Sequence, residues 1–166
     1  AGEAPAGVER AGTPEAADFA LTLTPEGGAL HLVPPIGVLG VGCRRGTTAE
    51  RLEEAFSAFC ASSGLSPAAV SAAASIDLKK EEPGLAQFCE AHGWPITFYS
   101  ADQLRAVPGQ FTPSAFVAGV TGVDNVCERA AAKASGGALL LPKTAGGGVT
   151  LALAVRPFAP DWRTEQ

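Results

Sequence analysis

From Ile36 onward, short apolar runs alternate with stretches in which apolar residues recur every three or four positions. Ile36 to Val41 is short, apolar and partly β-branched, which predicts a central strand. Leu52, Ala55, Phe56, Phe59, Cys60 and Ser63 follow helical spacing, and Gly64 stops that helix. Ahead of it, Thr47 and Glu50 have the spacing of a capping box, with the threonine capping and the glutamate reaching back. Ser66-Pro67 opens a shorter helix, since proline suits the first helical position. Ser71 to Ile76 reads as a second strand, Leu85, Phe88, Cys89 and His92 as a helix closed by Gly93, and "PITFY" as a third strand. Ser100 and Gln103 form a second capping-box pattern, predicting a short helix to about Val107. After the loop "PGQFTPS", "AFVAG" reads as extended. Val123, Val126, Cys127, Ala130, Ala131 and Ala134 make one helical face that ends at Gly136-Gly137. "ALLLP" and "VTLALAV" are two further strands joined by "KTAGGG", which predicts an antiparallel hairpin.

This alternation implies an α/β fold, a three-layer α/β/α sandwich with a mixed, mostly parallel sheet of about five strands. The beginning of the chain is different. Residues 1–18 are linker-like, and "FALTLTPEGGALHLV" alternates on both sides of "PEGG", as a hairpin or an extended arm would. Pro34-Pro35 marks a boundary. The expected division is a linker or tail over 1–34, a folded domain over 35–157 and a loose tail over 158–166.

Composition narrows the partners. The 166 residues, 46% hydrophobic and 17% charged, suffice for one folded domain with a real core. A net charge of −5, with no basic run longer than Arg44-Arg45 or Lys79-Lys80, argues against nucleic acid. No apolar run approaches the ~18–20 residues needed to span a bilayer, and no secretory signal is visible. Cys43, Cys60, Cys89 and Cys127 are too far apart for a metal knuckle or a redox pair. The last three fall on apolar helix faces and are expected as buried hydrophobes in a reducing cytoplasm. His31 and His92 stand apart, so no protein-held metal is expected. The chain has no methionine and starts at Ala1 after a linker-like stretch, which reads as a piece of a longer protein.

The polar clusters lie just after predicted strands: "GCRRGTT", "DLKKEEPG", "SADQ" and "KTAGGG", with "GVTGVDN" ahead of the alanine-rich helix. In open α/β sheets, loops at the carboxyl ends of strands line the ligand crevice. Arg44, Arg45, Lys79, Lys80 and Lys143 are cationic, the glycines allow close backbone approach, and helix starts after Gly46 and near Gly122 point amides outward. Such a site suits an anionic ligand, either phosphates or several carboxylates. The dinucleotide fingerprint fails because position 45 is arginine, and no Walker pattern occurs. Plainer readings stand beside these. Gly40 and Gly42 also suit tight strand-to-helix packing, Arg44 and Arg45 surface salt bridges, and Asp77 to Glu82 a solvated turn. Glu128 is either an exposed helical residue or a carboxylate aimed at the crevice. No Ser-His-Asp set supports covalent hydrolysis.

The stretches "GVGCRRGT", "SIDLKKEEPGL" and "GVDNVCERAA" followed by "LLLPKT", in this order and spacing, resemble one family. It is the C-terminal domain of the cobalamin-biosynthesis protein CbiG, shared with stand-alone CobE proteins, and the likeness runs over roughly residues 33–156. The resemblance implies a part of cobalt-precorrin-5A hydrolase, which opens the δ-lactone of its macrocycle and releases acetaldehyde to give cobalt-precorrin-5B. It also implies a cobalt-precorrin tetrapyrrole as substrate, no cofactor beyond the cobalt the substrate carries, other cobalamin-pathway enzymes as partners, and a cytoplasmic setting. The residues matched are Gly42, Cys43, Arg44, Arg45, Gly46 and Thr47, then Lys79, Glu82 and Gly84, then Gly122 and Glu128, and finally Lys143. For lactone opening the expected base is Glu82 or Glu128, with Lys79 or Lys143 and the Arg44 turn stabilising the oxyanion. Cys43 matches too, as strand-end packing ahead of a nucleophile. Full-length family enzymes carry an N-terminal domain and a middle region, so Ala1 to Val33 reads as the end of that middle region. Two alternatives are a non-catalytic corrinoid-binding or carrier module and an unrelated anion- or nucleotide-binding domain.

Overall fold

The computed structural model describes residues 4–13, 16–27, 30–112 and 125–160. In chain order these form β1 (Phe19–Leu21), β2 (Leu30–Leu32), β3 (Gly37–Cys43), α1 (Ala49–Ser63), β4 (Val70–Ile76), α2 (Pro83–Ala91), β5 (Ile96–Tyr99), α3 (Ala101–Arg105), α4 (Val126–Ser135), β6 (Ala138–Gly146) and β7 (Val149–Val155). Single 3-10 turns, Pro67–Ala69 and Asp77–Lys79, flank β4. The expected strand over "AFVAG", together with Val123, Gly119 and Gly122, lies outside the described residues.

The main sheet has the order β5-β4-β3-β7-β6. β3, β4 and β5 are parallel, while β7 runs antiparallel to both β3 and β6. Successive side chains on β3 separate the layers. Leu39 and Val41 join Leu52, Phe56, Leu85 and Phe88 of α1 and α2 in one core. Val38 joins Ala72, Ala74, Ile76, Leu104, Val126 and Ala130 under α3 and α4 in the other. The result is the mixed-sheet α/β sandwich that the alternation implied. The α4 face is made of small residues: Gly40 stands opposite Ala74 on β4 and opposite Ala152 on β7. A Cβ on Gly40 would lie 1.8 Å from the Cys127 carbonyl oxygen, so α4 rests directly on the strand. For Gly40 the packing reading is therefore the structural one.

Three local expectations need correction. The cap of α1 is Thr48, whose hydroxyl accepts from the Arg51 amide at 3.3 Å. Thr47 instead donates its hydroxyl to the Arg44 carbonyl at 2.8 Å, because the turn through Gly46 takes up one more residue before the helix begins. The box at Ser100 forms as expected, with Ser100 Oγ and Gln103 Oε1 accepting from each other's amides. At the end of the chain, β6 continues through Lys143 to Gly146, and the hairpin turns on Gly147-Gly148 alone, both at positive φ (57° and 83°). Such a pair suits a two-residue hairpin, which needs left-handed backbone at both central positions. Finally, β1 and β2 pair in parallel, so of the two readings of this stretch the antiparallel hairpin is the one that fails. This small sheet is tied to the main body: the Ser66 amide donates to the Leu23 carbonyl at 2.8 Å, and Leu23 and Val33 pack on the α1 side of the core.

Cys60, Cys89 and Cys127 are buried as expected, Cys43 is half-buried, and all four are free thiols. His92 caps the end of α2. Its Nε2 lies 2.7 Å from Glu53 Oε2, and its ring stacks on Trp94 with centroids 4.1 Å apart.

Candidate binding cavity

β3 and β4 end at the same rim because they are parallel. β6 also runs in their direction, since both β3 and β6 are antiparallel to β7. A cavity of about 760 Å³ opens at this rim. Its walls come from Gly42 to Arg45 at the end of β3, Ile76, Leu78, Lys79 and Glu82 at and beyond the end of β4, Asn125 to Cys127 at the start of α4, and Lys143, Ala145, Gly146 and Gly148 to Thr150 of the last hairpin. Four sequence-remote segments thus meet, and Arg44, Arg45, Lys79 and Lys143 surround one opening. Ile76, Val126 and Val149 supply buried apolar surface, and Leu78 stands at the lip with 61% of its surface exposed.

Other candidates are placed differently. Gly46 and Thr47 lie behind the turn and do not line the cavity, and neither does Lys80. Gly122 lies outside the described residues. In the charged turn, Asp77, Lys80 and Glu81 are exposed, as a solvated turn would be, whereas Lys79 and Glu82 turn inward. Arg44 and Arg45 are exposed and enter no ion pair among the described residues.

The arginine turn is held from two sides. The Arg44 amide donates to the Gly148 carbonyl at 3.0 Å, joining it to the hairpin. The Gly46 amide donates to Glu82 Oε2 at 2.8 Å, and Lys79 Nζ donates to Glu82 Oε1 at 3.1 Å. Gly84 lets α2 approach this turn, because a Cβ there would lie 2.1 Å from the Thr47 carbonyl oxygen. The Gly46 hydrogen bond holds the Glu82 carboxyl below its ordinary value, against burial and helped by Lys79 and Arg45. The unfolded chain therefore binds the extra proton first as pH falls. The contribution of Glu82 is complete above its ordinary value of 4.5 and disappears as pH drops through the lower folded value. Glu82→Gln is expected to flatten the loss of stability as pH falls from 4.5 through that lower value; urea unfolding across an acid pH series, giving identical slopes for both proteins, would refute it.

Glu128 fits neither of its two expected descriptions. It is fully buried and does not line the cavity. Oε1 accepts from the Lys143 amide at 2.7 Å and from the Thr112 hydroxyl at 2.8 Å, and Oε2 accepts from the Thr112 amide at 2.8 Å. Burial pushes its carboxyl up, but the hydrogen bonds from Lys143, Thr112 and Asn125 prevail and the net direction is down. Cys43 does line the cavity. Burial pushes its thiol up, with Lys79 only partly offsetting it, so at neutral pH it is a protonated wall group.

Asn125 was not singled out in the sequence. It is 1% exposed and caps α4, its Oδ1 accepting from the Glu128 amide at 3.0 Å and its Nδ2 donating to the Thr112 carbonyl at 2.8 Å. The available signal was an asparagine directly before a helical run, the common capping position. The apolar wall was also missed, because Ile76, Val126 and Val149 read simply as core.

Fold and cavity together define an α/β domain with a cation-rimmed, partly apolar binding site. A family model described as "Cobalamin synthesis G C-terminus" matches residues 37–154, and the chain belongs to that family. It is 36% identical over 134 residues to a cobalt-precorrin-5A hydrolase of Priestia megaterium, covering 80% of this chain and 35% of that one. Identity to the hydrolase of the same name in Salmonella typhimurium is 37% over 124 residues, again 35% of the relative. A Protein CobE of Sinorhizobium sp is 33% identical over 120 residues, which cover 78% of that protein. Among solved structures, CobE, a protein from the cobalamin (vitamin B12) biosynthetic pathway, superposes with a TM-score of 0.66 at 35% identity, over 74% of this chain and 92% of that one. The chain therefore has a place in cobalamin synthesis, and it spans about a third of the length of the two hydrolases it matches. No helix among the described residues is long and apolar enough to cross a membrane.

Proposed function

We propose that this chain is the corrinoid-binding C-terminal part of a cobalt-precorrin-5A hydrolase, which opens the δ-lactone with release of acetaldehyde to give cobalt-precorrin-5B. The observation that carries the reading is the convergence of Arg44, Arg45, Lys79 and Lys143 on one cavity with apolar wall surface. A corrinoid precursor is a broad, partly apolar ring fringed by acetate and propionate carboxylates. Guanidinium groups grip carboxylates through paired hydrogen bonds, and ammonium groups act as point charges beside them. The ring face meets Leu78, Val126 and Val149, while the carboxylates meet the rim. Cobalt enters with the substrate. Four free thiols fit a reducing cytoplasm.

For the hydrolytic step, Glu82 is the carboxylate that lines the cavity, and it takes the role of base toward water. Lys79 beside it and Lys143 across the opening stabilise the oxyanion formed at the lactone carbonyl. A second reading, a non-catalytic corrinoid carrier, is favoured by one specific observation. Both oxygens of Glu82 already accept hydrogen bonds, so the ready-made feature of the site is binding.

Titration with cobalt-precorrin-5A, followed by absorption and by trapping of acetaldehyde, tests both. A saturable spectral change is expected. Acetaldehyde release supports the hydrolase reading, spectral change without acetaldehyde supports the carrier, and no spectral change overturns both.

A further inference from the structure

We infer that Glu128 is a positioning residue that bends β6 and thereby delivers the Lys143 side chain to the cavity. The inference rests on the corrinoid-binding reading for its meaning, but on backbone geometry for its support. Along β6 the pairing runs from Leu141 opposite Leu153 to Thr144 opposite Leu151. Three steps on β6 thus face two on β7, so one residue is extra at Pro142–Lys143. Proline has no amide hydrogen to give to β7. The next amide, that of Lys143, goes to Glu128 Oε1 at 2.7 Å.

The bend changes which face Lys143 occupies. In a regular strand, residues two apart share a face. Leu141 packs against the core under α1 and α2. Without the extra residue Lys143 would follow it there. With the bulge, Lys143 instead lines the cavity together with Asn125 and Val126 at the start of α4. A bulge that re-aims a side chain is a recognised use of the irregularity. Glu128 is suited to hold it because α4 is itself anchored: Asn125 caps the helix and binds the Thr112 carbonyl, and Glu128 takes the Thr112 amide and hydroxyl. One fully buried carboxylate therefore joins residue 112, the start of α4 and the bend of β6.

The test uses Glu128→Gln, which preserves shape but presents one acceptor oxygen and an amide group to three donors. Affinity for cobalt-precorrin-5A is expected to fall at least about tenfold. Adding Lys143→Ala to Glu128→Gln should cost no more than Lys143→Ala alone, since both act on the same contact. Hydrogen exchange of the Lys143 amide, which needs no ligand, should quicken in Glu128→Gln. Unchanged affinity with lost turnover would make Glu128 a base and overturn the inference. Losses that multiply in the double variant would overturn it too. If the unaltered protein fails to bind the corrinoid, the binding reading falls and exchange decides alone: an unchanged Lys143 amide rate overturns the bend, and a faster one supports it.

Discussion

Replacing Arg44 and Arg45 together with alanine is expected to lower affinity for the proposed polycarboxylated corrinoid by about 2–5 kcal/mol, the range for removing one side of charge-paired contacts that become desolvated on binding. The arginines follow the last residue of β3 and stand at the cavity rim without an ion pair among the described residues. Their removal breaks no ion pair among the described residues and takes from Glu82 only the small electrostatic help of Arg45, so the melting temperature should change little. The loss should shrink as salt is raised, because rim charges are screened over about 10 Å at 0.1 M ionic strength. Absorption titration at two salt concentrations, beside a thermal melt, checks both points. Full affinity in a stably folded double variant would remove the arginine turn from the site.

The second large effect concerns packing. Gly40→Val is expected to destabilise the domain by about 3 kcal/mol or more, since overfilling a tight core commonly costs about 1–3 and here the obstacle is backbone. The added Cβ would lie 1.8 Å from the Cys127 carbonyl oxygen and 3.0 Å from the Ala131 Cβ, so α4 has to lift off β3. Val126 and Cys127, which move with it, line the cavity, and binding should weaken along with stability. Gly146→Ala is the contrast: a Cβ there meets nothing within 4 Å. It should alter stability by no more than about 0.5 kcal/mol, as surface changes usually do. Chemical denaturation of the two variants measures the difference, and equal midpoints would show that α4 yields without cost.

The alternating order of strands and helices was legible because apolar periodicity is a local property. The Ser100 box and the stop at Gly64 were legible for the same reason. The parallel pairing of β1 with β2 was not, since Phe19 and Leu30 meet through tertiary placement and the alternation suits either direction. The shift of the α1 cap from Thr47 to Thr48 depends on how many residues the Gly46 turn consumes, which adjacent threonines do not reveal. At the site, the cations were readable by type and position after strands. Glu128 was not, because a glutamate in a helix looks the same in sequence whether it meets water or hydrogen-bond donors from Thr112 and Lys143. Its true environment is set by Thr112 and Lys143, far away along the chain.

The strand order has a consequence for how the molecule is made. Among the described strands β7 comes last along the chain, yet it occupies an interior place between β3 and β6. Until the ribosome has released residues 149–155, one long edge of β3 has no hydrogen-bonding neighbour, and open edges invite pairing with other chains. A chain cut short before Val149 would thus leave a polypeptide prone to clump.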